Sequence, residues 1–109
     1  MKIDKSLLSG TTPMLLLSLL QDGEMYGYQM VSELYRRSDD TFQLKEGTLY
    51  PLLHSLEKAK YIRSRMELMP NGRERKYYRL TESGEELLTQ KTEEWRYFCA
   101  KVGAVLGMA

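Results

Sequence analysis

Leucine spacing organises this chain. After Thr11-Thr12-Pro13, Leu15, Leu16, Leu19 and Leu20 fall on one buried side of a helix, and Asp22-Gly23 ends it. A threonine can cap such a helix, and proline is tolerated at its first position. Ile3 to Ser9 predicts a short extra helix ahead of it. A second helix runs from about Met25 to Arg37, with Gly27, Met30, Val31 and Leu34 at helical spacing, until Ser38-Asp39-Asp40 breaks it. The third spans roughly Glu46 to Ala59. Its Leu49, Leu52, Leu53 and Leu56 follow the rhythm of one amphipathic stripe. The other face carries Thr48, Tyr50, Pro51, His54, Ser55 and Lys58. Pro51 reads as lying within the first turn or so, where a missing N–H costs little.

The period then changes. Ile62, Ser64 and Met66 alternate with Arg63, Arg65 and Glu67, and Lys76, Tyr78 and Leu80 alternate with Arg75, Tyr77 and Arg79. Pro70-Asn71-Gly72 between them is a strong turn signal. This is a two-stranded hairpin with basic residues on its exposed face and near its tip. Thr81 caps a long last helix that reaches about Leu106. Leu88, Trp95, Cys99, Val102 and Leu106, with Leu87, Phe98 and Val105 beside them, are spaced along it like a heptad repeat. Too little domain remains to cover such a stripe, so a partner chain is its natural cover. The expected fold is mainly α: a winged helix-turn-helix of three helices and a two-stranded β-wing, with a long C-terminal dimerisation helix. Residues 1–80 form the winged domain with its short N-terminal helix, and 81–109 the dimerisation helix.

Composition changes the picture only through its distribution. A chain of 109 residues suffices for one modest core. The apolar run Met14 to Leu20 is far short of the roughly 20 residues a membrane span needs, and the N-terminus lacks a signal-peptide layout. A single cysteine forms no intramolecular disulfide, which fits a reducing, cytoplasmic setting. Net charge is only +1, so the whole chain does not announce nucleic acid. The segment Lys58 to Arg79, however, gathers eight basic residues against Glu67 and Glu74, a local +6 that leaves −5 elsewhere.

That run falls where a winged helix meets DNA. With the leucine stripe buried, Thr48, Tyr50, His54 and Lys58 face outward, free to enter a major groove. The N-terminal end of that helix offers N–H groups to a phosphate, and Lys45 just before it falls within reach of one. The hairpin brings Arg73, Arg75 and Lys76 to the neighbouring backbone or minor groove. His54 suits a base or phosphate contact. As the one histidine, with no Cys/His cluster, it does not make a metal site. Glu85-Glu86 and Glu93-Glu94 are adjacent pairs that point in different directions. No phosphate-cradling loop or nucleophile-base set appears, so no enzyme and no cofactor are expected. The alternative is a winged-helix protein-interaction module without DNA binding, which the near-zero net charge leaves open.

Met25-Tyr26-Gly27-Tyr28, Glu46-Gly47-Thr48-Leu49-Tyr50-Pro51-Leu52-Leu53, Leu56-Glu57-Lys58 and Arg75-Lys76-Tyr77-Tyr78-Arg79-Leu80-Thr81-Glu82-Ser83-Gly84 together resemble the PadR family of transcriptional regulators, over most of the chain. The length resembles its short subfamily with one C-terminal helix. The resemblance implies a homodimer that binds a pseudo-palindromic, double-stranded operator and represses transcription. The C-terminal helix makes the dimer with help from the N-terminal one. Tyr26, Thr48 and Tyr50 match family positions at the DNA face. One departure stands out: after Leu56-Glu57-Lys58-Ala59 the family commonly has a helix-capping glycine, and here stands Lys60.

The expected dimer interface is Leu88, Trp95, Phe98, Cys99, Val102 and Leu106. Trp95 resembles the position of a tryptophan in a multidrug-binding member of the family, where paired indoles flank a flat aromatic ligand. Two readings of it stay open. Trp95, with Cys99 a turn further on, binds a flat aromatic effector, or it packs the dimer core. Cys99 itself reads as a small buried hydrophobe.

Overall fold

The computed structural model describes residues 1–108. Its elements are α1 (Lys5–Ser9), α2 (Thr12–Leu19), a 3-10 turn over Leu20–Asp22, β1 (Met25–Tyr26), α3 (Gly27–Arg37), α4 (Glu46–Lys58), β2 (Ile62–Leu68), β3 (Glu74–Leu80) and α5 (Glu82–Val105). The winged helix-turn-helix is therefore present, mostly helical, with α3 and α4 as its helix pair and β2–β3 as its wing.

The core sits where the stripes of α2, α3 and α4 converge. Leu16, Leu17, Met30, Leu49 and Leu53 are fully buried, joined by Leu34, Leu56 and, from the sheet, Ile62 and Tyr78. Each such aliphatic side chain contributes roughly 1.5–3 kcal/mol on leaving water. Burying Leu49, Leu53 and Leu56 orients α4 and leaves Thr48, Tyr50, His54, Ser55 and Lys58 exposed.

The wing is tighter than a bare hairpin. β2 and β3 pair antiparallel from Ile62 opposite Leu80 to Leu68 opposite Glu74. Their turn closes through Met69 N–H to Arg73 O (2.8 Å) and Gly72 N–H to Met69 O (2.9 Å), with Gly72 at φ +84. The expected two-stranded wing gains a third strand. Met25 and Tyr26, expected as the first turn of the second helix, pair with Tyr78 and Tyr77. Pairing with β3 satisfies backbone groups that a frayed helix start leaves open. The helix then begins at Gly27, where Gln29 Oε1 accepts from the Tyr26 N–H (3.4 Å).

Other expectations shift for local reasons. Leu17 is fully buried, whereas Leu15 is only partly so, because α2 is enclosed on more than one side. Thr11 stands at the cap position of α2, but its hydroxyl donates back to Leu8 O (2.8 Å) and does not accept from the helix. Pro51 is the sixth residue of α4, past the first turn; the ladder donor it removes would have served the carbonyl of Gly47, an exposed residue.

Helix α4 ends in a Schellman turn. The Tyr61 N–H reaches Leu56 O (3.0 Å) and the Lys60 N–H reaches Glu57 O (2.9 Å). Lys60 occupies the left-handed position at φ +67, the conformation that glycine adopts without cost. A side chain there costs about 1 kcal/mol. Lys60→Gly should therefore raise the melting temperature by a few degrees in a thermal melt; a fall would mean that the lysine side chain contributes more than its strained backbone removes.

Helix α5 begins as a core element and ends as a bare one. Thr81 caps it, its Oγ1 accepting from the Gly84 N–H (3.1 Å). Leu88 is 5% exposed and belongs to the single chain's own core. This corrects its placement on the expected dimer surface: α5 packs against α2 here. From Glu93 to Val102 every residue is exposed. Cys99, expected to be buried, is exposed in the single chain, as are Trp95 (45%), Phe98 (63%), Val102 and Leu106. The helix closes in a second Schellman turn around Gly107 at φ +75.

Candidate nucleic-acid interface

Between the start of α3, the start of α4 and the wing tip lies a groove of about 570 Å³, lined among others by Tyr26, Tyr28, Tyr50, Arg73, Arg75 and Lys76. The fold assembles it from three separated segments. Tyr50 projects from the exposed face of α4, and Gly27 makes room for it. A Cβ at Gly27 would lie 2.7 Å from the Tyr50 hydroxyl oxygen and 3.1 Å from its ring, so a glycine lets that ring lie over the first residue of α3.

Arg75 is held in place by aromatics. Its guanidinium carbon lies 4.1 Å from the Tyr26 ring centroid. Tyr26 in turn meets Tyr77 edge to face, centroids 5.6 Å apart. Stacking of this kind pre-orders a long side chain; Arg75 Nη1 also reaches the Tyr77 hydroxyl at 3.5 Å, and the rest of the N–H fork is left for a phosphate. Arg73, beside the turn, is exposed and has its backbone N–H bonded to Asn71 Oδ1 (3.0 Å).

The eight basic residues of the +6 segment are not equivalent. Arg65 is paired with Glu24 and Glu67 and lies over the Tyr77 ring. Arg63 and Arg79 stand opposite one another on neighbouring strands, away from the groove. Lys76 lines the groove, yet its Nζ is 3.5 Å from Glu57 Oε1. Like-charged neighbours cost energy when directly opposed, and Glu24 lines the same shallow pocket as Arg63 and Arg79, its carboxyl held below the ordinary value chiefly by the Arg65 hydrogen bond and in small part by the Arg79 charge.

Glu57 ties α4 to the wing. It projects from α4 and accepts the Ser64 hydroxyl of β2 as well as the Lys76 ammonium of β3. The Ser64 hydroxyl first, and the Lys76 charge after it, hold the Glu57 carboxyl below its ordinary value of 4.5. Its folded pKa is thus lower than its unfolded one. The stability it contributes is present above the unfolded value and is lost as pH falls through the folded one. Glu57→Gln should lose up to about 1 kcal/mol at pH 7. Its difference from the unmodified chain should shrink as unfolding is measured from pH 5 downward; a difference that stays constant to pH 3 would show that charge plays no part.

The structure brings Tyr26, Tyr50, Arg73, Arg75 and Lys76 to one groove. Thr48, His54 and Lys58 lie on the exposed face of α4, and Lys45 stands at its N-cap. Sequence reasoning missed Tyr28, Gly27 and Asn71 as groove residues. Tyr28, 70% exposed on the first turn of α3, was legible as a large aromatic off the buried stripe. Among the described residues no cluster of three or more His, Cys, Asp or Glu side chains is placed to hold a metal, and no helix is long and apolar enough to cross a membrane.

Comparison with known proteins gives this arrangement its family. Residues 16–90 match the transcriptional regulator PadR-like family. A protein of Lysinibacillus sphaericus is 32% identical over 93 residues, 85% of either chain. A transcriptional regulator from Clostridium thermocellum superposes with a TM-score of 0.85 at 32% identity, covering 91% of this chain and 96% of that one. A PadR family transcriptional regulator from Eggerthella lenta gives 0.84 at 34% identity, covering 93% and 86%. The chain belongs to the PadR-like family of transcriptional regulators, a membership that implies DNA binding.

Proposed function

We propose that the chain is a dimeric repressor that binds a double-stranded operator through α4 and the wing and is released by a small-molecule effector. One observation carries the DNA contact: the groove joining Tyr26, Tyr28 and Tyr50 to Arg73, Arg75 and Lys76 opens beside the exposed face of α4. A helix fits a major groove there while the wing tip reaches the adjacent backbone. Thr48, His54 and Lys58 would face base edges or phosphates, and Lys45 a phosphate at the helix N-terminus.

The dimer rests on the outer part of α5, beyond Thr92. Trp95, Phe98, Cys99 and Val102 of α5, with Leu106 at its C-cap, form an uncovered apolar stripe, and Leu7 of α1 adds another exposed leucine. A second copy buries such a stripe in the way a coiled coil does. Trp95 and Cys99 are the residues we assign to an effector, a flat aromatic molecule stacking on the indole. Quenching of tryptophan fluorescence by flat cationic dyes checks this, and no quenching across a broad panel would remove the effector site from the account.

The repressor reading is tested by a gel shift on the protein's own promoter region. Salt-sensitive, sequence-selective retardation is expected. Its absence there and at neighbouring promoters would favour the second reading, a protein-docking winged helix. That reading draws on the wing charges already neutralised by Glu24, Glu57 and Glu67.

A further inference from the structure

The end of the recognition helix and the start of α5 are separated by the whole wing in sequence, yet they are fastened to each other. The Lys60 carbonyl accepts two hydroxyls, Thr81 Oγ1 at 2.6 Å and Ser83 Oγ at 2.9 Å. The next carbonyl, of Tyr61, accepts the Thr81 N–H at 3.2 Å. Gly84 lies flush against that same carbonyl, since a Cβ there would stand 2.0 Å from the oxygen. Thr81 uses its one oxygen twice, donating to Lys60 and accepting from Gly84. The first turn of α5 is therefore locked onto the Schellman turn of α4, and Lys60 holds its left-handed φ within that lock.

We propose that this joint sets the spacing between the two DNA half-sites that a dimer reads, with Ser83 as the positioning residue. The inference rests on the dimeric DNA-binding reading. If α5 carries the partner contact and α4 reads DNA, the angle between them fixes the distance from one recognition helix to the other. Tight carbonyl contacts on both Lys60 and Tyr61 leave that angle little freedom. Ser83 touches no groove residue and is exposed, so its hydroxyl affects the joint without removing a DNA contact or a core side chain.

The test uses the full chain and a set of operators in which the half-sites are moved apart or together by one and two base pairs. Binding is measured by fluorescence anisotropy. For the unmodified protein, each step away from the native spacing should lower affinity about tenfold. Ser83→Ala should keep its affinity at the native spacing within about threefold, while its penalty per step falls to about threefold. Thr81→Ser, which keeps both the cap and the hydroxyl, should behave as the unmodified chain. An unchanged spacing penalty in Ser83→Ala, or a uniform loss at every spacing, overturns the proposal. If the unmodified chain binds no operator of the set, the DNA-binding reading has failed and the proposal falls with it.

Discussion

Gly84→Ala should lower the melting temperature by roughly 10–20 °C. Alanine in a helix usually gains about 1 kcal/mol over glycine, so the expected sign is opposite to the intrinsic preference. The reason is space. A Cβ at this position would stand 2.0 Å from the Tyr61 carbonyl oxygen and 3.0 Å from Leu80 Cδ2. The oxygen is backbone, already accepting the Thr81 N–H, and it cannot swing aside like a side-chain tip. Overpacking of this severity costs about 2–3 kcal/mol, and 1 kcal/mol moves the midpoint of a domain this size by about 4–8 °C. Melts should be run at one protein concentration, because the proposed dimerisation would make the midpoint concentration-dependent. Gly47→Ala is the control. It lies in the first turn of α4 with nothing within 4 Å of its would-be Cβ, and it should leave stability unchanged or slightly raised. A Gly84→Ala protein that melts at or above the unmodified one would show that the α4–α5 joint is not packed as described.

The second large effect concerns DNA. Arg73→Ala combined with Arg75→Ala should weaken operator binding by about ten- to hundredfold near 0.1 M salt. It should also flatten the dependence of log affinity on log salt by nearly two, one for each phosphate contact removed. Arg75 is expected to matter more than its charge alone, because the Tyr26 ring pre-orders it at 4.1 Å. Arg65→Ala separates this account from simple loss of positive charge. Arg65 already answers Glu24 and Glu67, so its removal should change the salt slope by less than half as much as removing Arg75. Equal effects from Arg65 and Arg75 would mean that the wing acts as a diffuse charge and not through the groove.

Much of the fold and of the candidate groove is legible in the residue pattern because the stripes are simple. Leu49, Leu53 and Leu56 can face only a core, and their burial fixes which side of α4 stays exposed. Pro70-Asn71-Gly72 and its alternating flanks specify the wing. The misses have physical causes. Met25 and Tyr26 continue a helical apolar spacing, and only pairing with Tyr77 and Tyr78 turns them into strand. Leu88 shares the heptad rhythm of Trp95 and Val102, yet it falls where α5 still packs on α2, and rhythm alone does not say where a helix leaves its own domain. Arg65 and Lys76 count toward the local +6 without their partners, since Glu24 and Glu57 are distant in sequence. Lys60 is the opposite case. Its departure from the family's glycine points to a strained turn, and it sits at φ +67.

The central claim is that the exposed face of α4 and the groove beside it are the DNA-reading surface. Amide shifts of isotope-labelled protein titrated with its promoter DNA test it directly. Perturbations should concentrate at Lys45 to Lys58, at Tyr26 to Tyr28 and at Met69 to Lys76, and should saturate together. Shifts confined to α5 beyond Thr92, with Thr48, Tyr50 and Arg75 unmoved, would contradict it.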